Sequence, residues 1–179
     1  MTMRLLAAIA LTVAGCSSSS SIDAPNFSEL SDAFDALNTS IDALPLTDPM
    51  PQGSATYSGL ARIDYLLNGD PSVLVGDAVL TADFGAATVD GALSRFVHDS
   101  EGLVDGRIAL TGGTITGPRI DGIAIDGSLE IGGESLDFDG AGRGQFKGGD
   151  AEAVRLELFG SGGGPTQPDG WYGNAYLER

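Results

Sequence analysis

Few side chains in this sequence are equipped for chemistry, and each stands apart from the groups it would need. The 179 residues hold one cysteine, Cys16, and one histidine, His98. One imidazole and one thiol cannot supply the ligands of a zinc site. Ser/His/Asp catalysis would have to run through His98, in the polar stretch Arg95-Phe-Val-His-Asp-Ser-Glu101, and no Gly-x-Ser-x-Gly elbow accompanies it. The sequence predicts a solvated loop histidine. Asp137 and Asp139 lie two apart, but a calcium loop opening at Asp137 would need its acidic twelfth ligand at Gly148, so they read as solvated carboxylates. Gly160-Ser-Gly-Gly-Gly164 shares only its glycines with a phosphate loop: no Lys-Ser/Thr follows, Pro165 and Pro168 do, and it reads as a connection. The expectation is a protein that is not an enzyme, with no metal and no cofactor.

Cys16 is the exception, because of where it stands. Arg4 precedes an apolar run from Leu5 to Val13, then Ala14-Gly15-Cys16, the layout of a secretory signal with a small-residue cleavage site. The run is too short for a permanent membrane helix, which needs about 20 apolar residues. Val13-Ala14-Gly15-Cys16 resembles a bacterial lipobox. That resemblance implies cleavage before Cys16, acyl chains on its thiol and, with Ser17 rather than Asp next, delivery to the outer membrane. Membrane attachment through Cys16 needs more than one chain to be stable.

Charge narrows the partners. Nine basic residues face 25 acidic ones, for a formal charge of −16. Loss of residues 1–15 removes Arg4 and no acid, leaving eight basic residues against 25 acidic, a charge of −17. Nucleic acid is excluded as a main partner, since its binding is driven by cationic neutralisation of phosphates. So is electrostatic adhesion to anionic lipid. Glycine, at 27 residues, is about twice its usual share and without a collagen period, which favours a β-rich domain.

The elements follow from periodicity. Residues 16–26 form the lipidated, serine-rich tether. Asn26-Phe-Ser-Glu29 is a capping box opening a helix over 27–44, with Phe27, Leu30, Phe34, Leu37, Ile41 and Leu44 on one stripe. Two readings are open: the stripe packs on or plugs the next domain, or it binds a partner. Residues 45–52 are a proline-rich linker. From residue 53 the period becomes 2, as where Ile123, Ile125, Gly127, Leu129 and Ile131 alternate with Ala124, Asp126, Ser128 and Glu130. Eight strands are expected, near 53–66, 73–83, 86–96, 106–116, 122–131, 135–147, 153–160 and 170–177. Hairpin-sized connections and one apolar face close them into an all-β, eight-stranded antiparallel up-and-down barrel over 53–179. Charges spread along the second face make it a soluble barrel, not a membrane-spanning one.

Gly53-Ser-Ala-Thr-Tyr-Ser-Gly59, Leu80-Thr-Ala-Asp-Phe-Gly85 with Thr88-Val-Asp-Gly91, Gly144-Gln-Phe-Lys-Gly148 with Ala151-Glu152, and Phe159-Gly160 carry a resemblance. The chain over 53–179 is similar to the β-barrel of transferrin-binding protein B-type surface lipoproteins. It departs from the family pattern at Gly148-Gly149-Asp150 and Glu157-Leu158, and it has one barrel where those proteins have two lobes. The resemblance implies a lipid-anchored surface lipoprotein that binds a macromolecule through its rim and loops. Factor H binding protein-like lipoproteins, with related barrels, bind quite different partners.

On the last strand Trp171 shares its face with Gly173, Ala175 and Leu177, so Tyr172 and Tyr176 are expected outside, beside Asn174. That pair is the candidate partner contact, since tyrosine is enriched at interfaces; ordinary cover for the closing seam is the other reading. Two functional alternatives stay open beside partner binding. One is a lipocalin-like carrier of a small apolar ligand, and the other is a structural envelope lipoprotein.

Overall fold

The computed structural model describes residues 26–67, 69–161 and 170–179. One helix, α1 (Phe27–Asp42), precedes nine strands: β1 (Ser54–Leu67), β2 (Asp70–Asp83), β3 (Thr88–His98), β4 (Gly102–Thr116), β5 (Arg119–Ile131), β6 (Glu134–Asp137), β7 (Gly140–Lys147), β8 (Ala153–Gly160) and β9 (Gly170–Glu178). Every neighbouring pair is antiparallel, and β1 pairs with β9 from Ser58↔Glu178 to Leu66↔Gly170, which closes the sheet. β6 and β7 form one stave, because both pair with β5. The result is the closed eight-stave, up-and-down barrel that the alternation predicts.

The interruption within that stave is local. Phe138 and Asp139 leave the ladder, yet the Phe138 amide still donates to the Gly127 carbonyl at 2.8 Å. Side-chain parity is kept across it: Leu136, Phe138 and Phe146 all point inward and are buried. Between β5 and β6, Gly132 and Gly133 both take positive φ (60° and 85°), the geometry of a tight hairpin turn that only glycine adopts cheaply.

Side chains fill the interior. Tyr57 and Phe146 meet as tilted rings at 5.9 Å, Phe84 lies 5.2 Å from Phe146, and Phe138 lies between Tyr65 (5.8 Å) and Trp171 (5.9 Å). The inward glycines of β7 make room for large neighbours. A Cβ on Gly140 would sit 2.8 Å from the Trp171 ring, and one on Gly144 would sit 2.5 Å from a Leu156 methyl. Small residues opposite large ones are how a narrow barrel packs. An apolar ligand of the carrier reading would have to displace these rings.

α1 begins as its sequence requires, with the Asn26 side chain accepting from the Glu29 amide at 2.9 Å. It ends at Asp42, two residues before the expected 44. Its apolar stripe lies on the outer wall of the barrel rather than in an opening. Phe34 and Ile41 pack with Val75, Ala153 and Tyr176, flanked by Phe27, Leu30, Leu37, Leu44, Leu60 and Val73. Of the two readings of the stripe, intramolecular packing is the one observed.

No basic residue lies in the last turn of α1. The cation that its exposed carbonyls favour comes from the barrel: Lys147 Nζ donates to the Leu44 carbonyl at 2.8 Å and the Asp42 carbonyl at 3.4 Å. The linker then runs beside the end of β7. Thr47 is buried; its amide donates to the Phe146 carbonyl (3.1 Å) and its hydroxyl to the Gly148 carbonyl (2.9 Å). Residues 45–47 therefore serve as partner to backbone groups that β5 no longer reaches.

Candidate functional site: the outer wall of β7, β8, β9 and β1

Cross-strand registers sort the outward residues of this wall into three rows. Nearest the β8–β9 connection, Ala141, Phe159, Tyr172 and Asp64 are successive partners. The next row is Arg143, Glu157, Asn174 and Arg62, and the third is Gln145, Arg155, Tyr176 and Leu60. The rows differ in what covers them. α1 crosses the third row, where Phe34 meets Tyr176 edge-on at 5.3 Å, so Tyr176 is only 3% exposed. Tyr172, four residues and roughly 13 Å earlier on the strand, is 46% exposed.

The expected pair of exposed tyrosines is therefore corrected. Both point outward, but the helix takes Tyr176 as its own packing partner. The exposed partner of Tyr172 is Phe159, directly opposite it on β8 and 44% exposed, with Leu66 near by in β1 at 44%. Parity along Val154, Leu156 and Leu158 places Phe159 outside, a signal legible in the sequence. The Tyr172 hydroxyl donates to Asn174 Oδ1 at 3.1 Å. Hollows of about 340 and 500 Å³ flank the Phe159–Tyr172 pair, one beside Asp64 and Leu66, the other beside Asp139 and Ala141.

Ion pairs stiffen the middle row. Arg143 meets Glu157 at 2.7 Å, Arg155 reaches the same carboxylate at 2.9 Å, and Arg62 pairs with Asp64 at 3.0 Å. The hydrogen bond to Asp64 holds the Arg62 guanidinium more firmly protonated than usual.

His98 is also corrected: it is 4% exposed, inside the barrel mouth. A bulge at Arg95, whose φ is +51°, flips the parity of β3, so Phe96 and His98 follow Leu93 inward. The Ser100 and Glu101 amides donate to Nδ1 at 3.1 and 3.2 Å, which assigns the ring proton to Nε2, 2.8 Å from the Tyr65 hydroxyl. Asp99 also lies 3.0 Å from Nδ1, but two amide hydrogens already point at that nitrogen and make it an acceptor. Ser100 Oγ also meets Nδ1, at 3.2 Å. A catalytic relay needs the serine and the aspartate on opposite ring nitrogens. Here both meet the same one, so His98 ties the β3–β4 turn to Tyr65.

Among the described residues no three His, Cys, Asp or Glu side chains converge as a metal site would require. The lipobox Val13-Ala14-Gly15, Cys16 and the tether up to residue 25 lie outside the described residues, as does most of the glycine run after Gly160.

Burial raises the ionisation of three tyrosines above the usual 10. For Tyr57 it is partly offset by Arg179, for Tyr65 by a hydrogen bond from Ser72, and for Tyr176 it is reinforced by Asp42. A raised folded-state value means the native protein holds these protons more tightly than the unfolded chain. Stability is thus complete below about pH 10 and lost as the pH climbs through the raised values. Thermal melts from pH 8 to 12 should be flat, then fall as tyrosinate absorbance appears; melts independent of pH throughout would contradict this.

No family model matches the sequence, and no curated protein matches it. Solved structures do. A double mutant of transferrin-binding protein B from Haemophilus parasuis Hp5, described as a vaccine antigen, superposes with TM-score 0.50 at 18% identity, over 76% of this chain and 27% of that one. Isotype 1 transferrin-binding protein B from serogroup B Neisseria meningitidis gives TM-score 0.48 at 16% identity, over 76% of this chain and 28% of that one. The fold is that of a transferrin-binding protein B barrel. This chain spans little more than a quarter of those longer proteins, so the likeness fixes the barrel and nothing about what it binds. In this barrel the part of the β8–β9 wall that the helix leaves open is the Phe159–Tyr172 face.

Proposed function

We propose that this chain is a lipid-anchored bacterial envelope lipoprotein whose barrel binds a macromolecular partner through its outer wall and rim. Acyl chains on Cys16 attach it to the outer membrane, and it has no catalytic role. The observation that carries the reading is the Phe159–Tyr172 pair. Two large aromatic side chains stand opposite each other, each more than two-fifths exposed, on a wall whose other aromatic is covered by the chain's own helix. Aromatic residues in such positions are the usual anchors of protein interfaces, each contributing about 2 kcal/mol or more when central. The rings inside the barrel support an outward-facing function over a carrier one.

One experiment tests both halves. Cys16→Ser should move the protein from the membrane to the soluble fraction. Phe159→Ser with Tyr172→Ser should abolish saturable retention of an envelope or serum protein while leaving the thermal melt intact. Membrane association without Cys16 overturns the anchor. Undiminished retention by the double variant overturns the binding face.

A further inference from the structure

A second feature of the wall is independent of the aromatic pair. Where β5, β7 and β8 run side by side, a cleft of about 310 Å³ is lined by Arg119, Asp121, Arg143, Gln145, Arg155 and Glu157. Three of the chain's nine basic residues thus meet in one cleft of a protein with 25 acidic residues. Arg119, Gln145 and Arg155 are successive cross-strand partners, so two guanidiniums flank a neutral amide on adjacent strands. The ladder slips between Ile120 and Ile123, and this bulge sets Asp121 at the cleft's edge.

Glu157 is engaged by both Arg143 and Arg155. Arg155 Nε is buried without a hydrogen-bond acceptor, its nearest carboxylate being Asp42 at 3.6 Å. Among the described residues Arg119 has no ion pair or side-chain hydrogen bond. Arg143 and Arg155 are matched by Glu157 and Asp42, which leaves Arg119 as the one guanidinium of the cleft without a carboxylate partner among the described residues.

We propose that this cleft binds the oxyanion end, carboxylate or phosphate, of a small soluble ligand. Arg119 supplies a planar fork of donors and Gln145 the amide beside it. The size of the ligand follows from the single unpaired guanidinium. One uncompensated cation matches one anionic group, and screening over about 8 Å lets a small ion approach a strongly acidic protein. A densely anionic membrane or nucleic acid would meet the whole negative field instead.

The test is calorimetric titration of the mature protein with inorganic phosphate and with citrate, at constant ionic strength and pH 7. Saturable binding of either ion is expected, weakened about tenfold or more in Arg119→Gln and unchanged in Arg107→Gln, which lies outside the cleft. A melt of each variant confirms folding, since both side chains are exposed. No saturable heat from either ion, or equal affinity in Arg119→Gln, overturns the proposal. So does binding to phosphatidylglycerol vesicles with no response to the free ions. None of these outcomes bears on Phe159 and Tyr172, so this site and the partner face stand or fall separately.

Discussion

Phe138→Ala should destabilise the barrel by about 3–5 kcal/mol, the range for removing a buried aromatic side chain. Phe138 is fully buried, and its ring contacts Tyr65 and Trp171 edge-on at 5.8 and 5.9 Å. Those neighbours come from β1 and β9, the two strands whose pairing closes the barrel. The cavity would open where collapse is hardest, because Trp171 is already pressed on the backbone of Gly140 and Gly160. Phe138→Leu keeps most of the volume and should cost less than half as much. Denaturant melts measure both. A Phe138→Ala variant as stable as the parent would mean that this stave is misregistered, since a slip of one residue exchanges the two faces.

Ile41→Ala should cost about 2–5 kcal/mol, although Ile41 lies outside the barrel. It is fully buried between α1 and the outer wall, in a cluster separate from the barrel's interior. The separation of the two clusters sets a second expectation. Deleting residues 17–51 should leave a β-rich domain that still unfolds cooperatively, since the interior core draws on residues of the barrel itself, with Met50 the one linker side chain against it. That domain should be less stable and prone to self-association, because Leu60, Val73, Val75 and Tyr176 would lose their cover. Loss of cooperative unfolding on truncation, or an Ile41→Ala variant of unchanged stability, would contradict the docking of α1.

The barrel was legible because a wall with side chains inside and water outside imposes alternation on every strand. The helix was legible from its cap and stripe. What the alternation does not contain is the third dimension of the outer wall. Tyr172 and Tyr176 have the same parity and residue type, and only the path of α1 makes one an open contact and the other a packing partner. Nor does it survive a bulge: the extra residue at Arg95 turned a histidine in a polar stretch into a buried hydrogen-bond hub joined to Tyr65, 33 positions away. Lys147 is a related case, an outward residue whose role at the helix C-terminus depends on a contact 103 residues distant. The arginine cleft was invisible for the same reason. Arg119, Gln145 and Arg155 are remote in sequence, and only the register between strands makes them one row.

On this reading the barrel acts through the Phe159–Tyr172 face of its outer wall, beyond the reach of α1. Hydroxyl-radical footprinting of the membrane-anchored protein, alone and with bound envelope or serum partner, tests it at single side chains. Oxidation of Phe159 and Tyr172 should be strong in the free protein and suppressed in the complex, while buried Tyr57, Phe138 and Tyr176 stay unlabelled in both. Phe159 and Tyr172 labelled equally in free and bound protein, with protection elsewhere, would contradict the account.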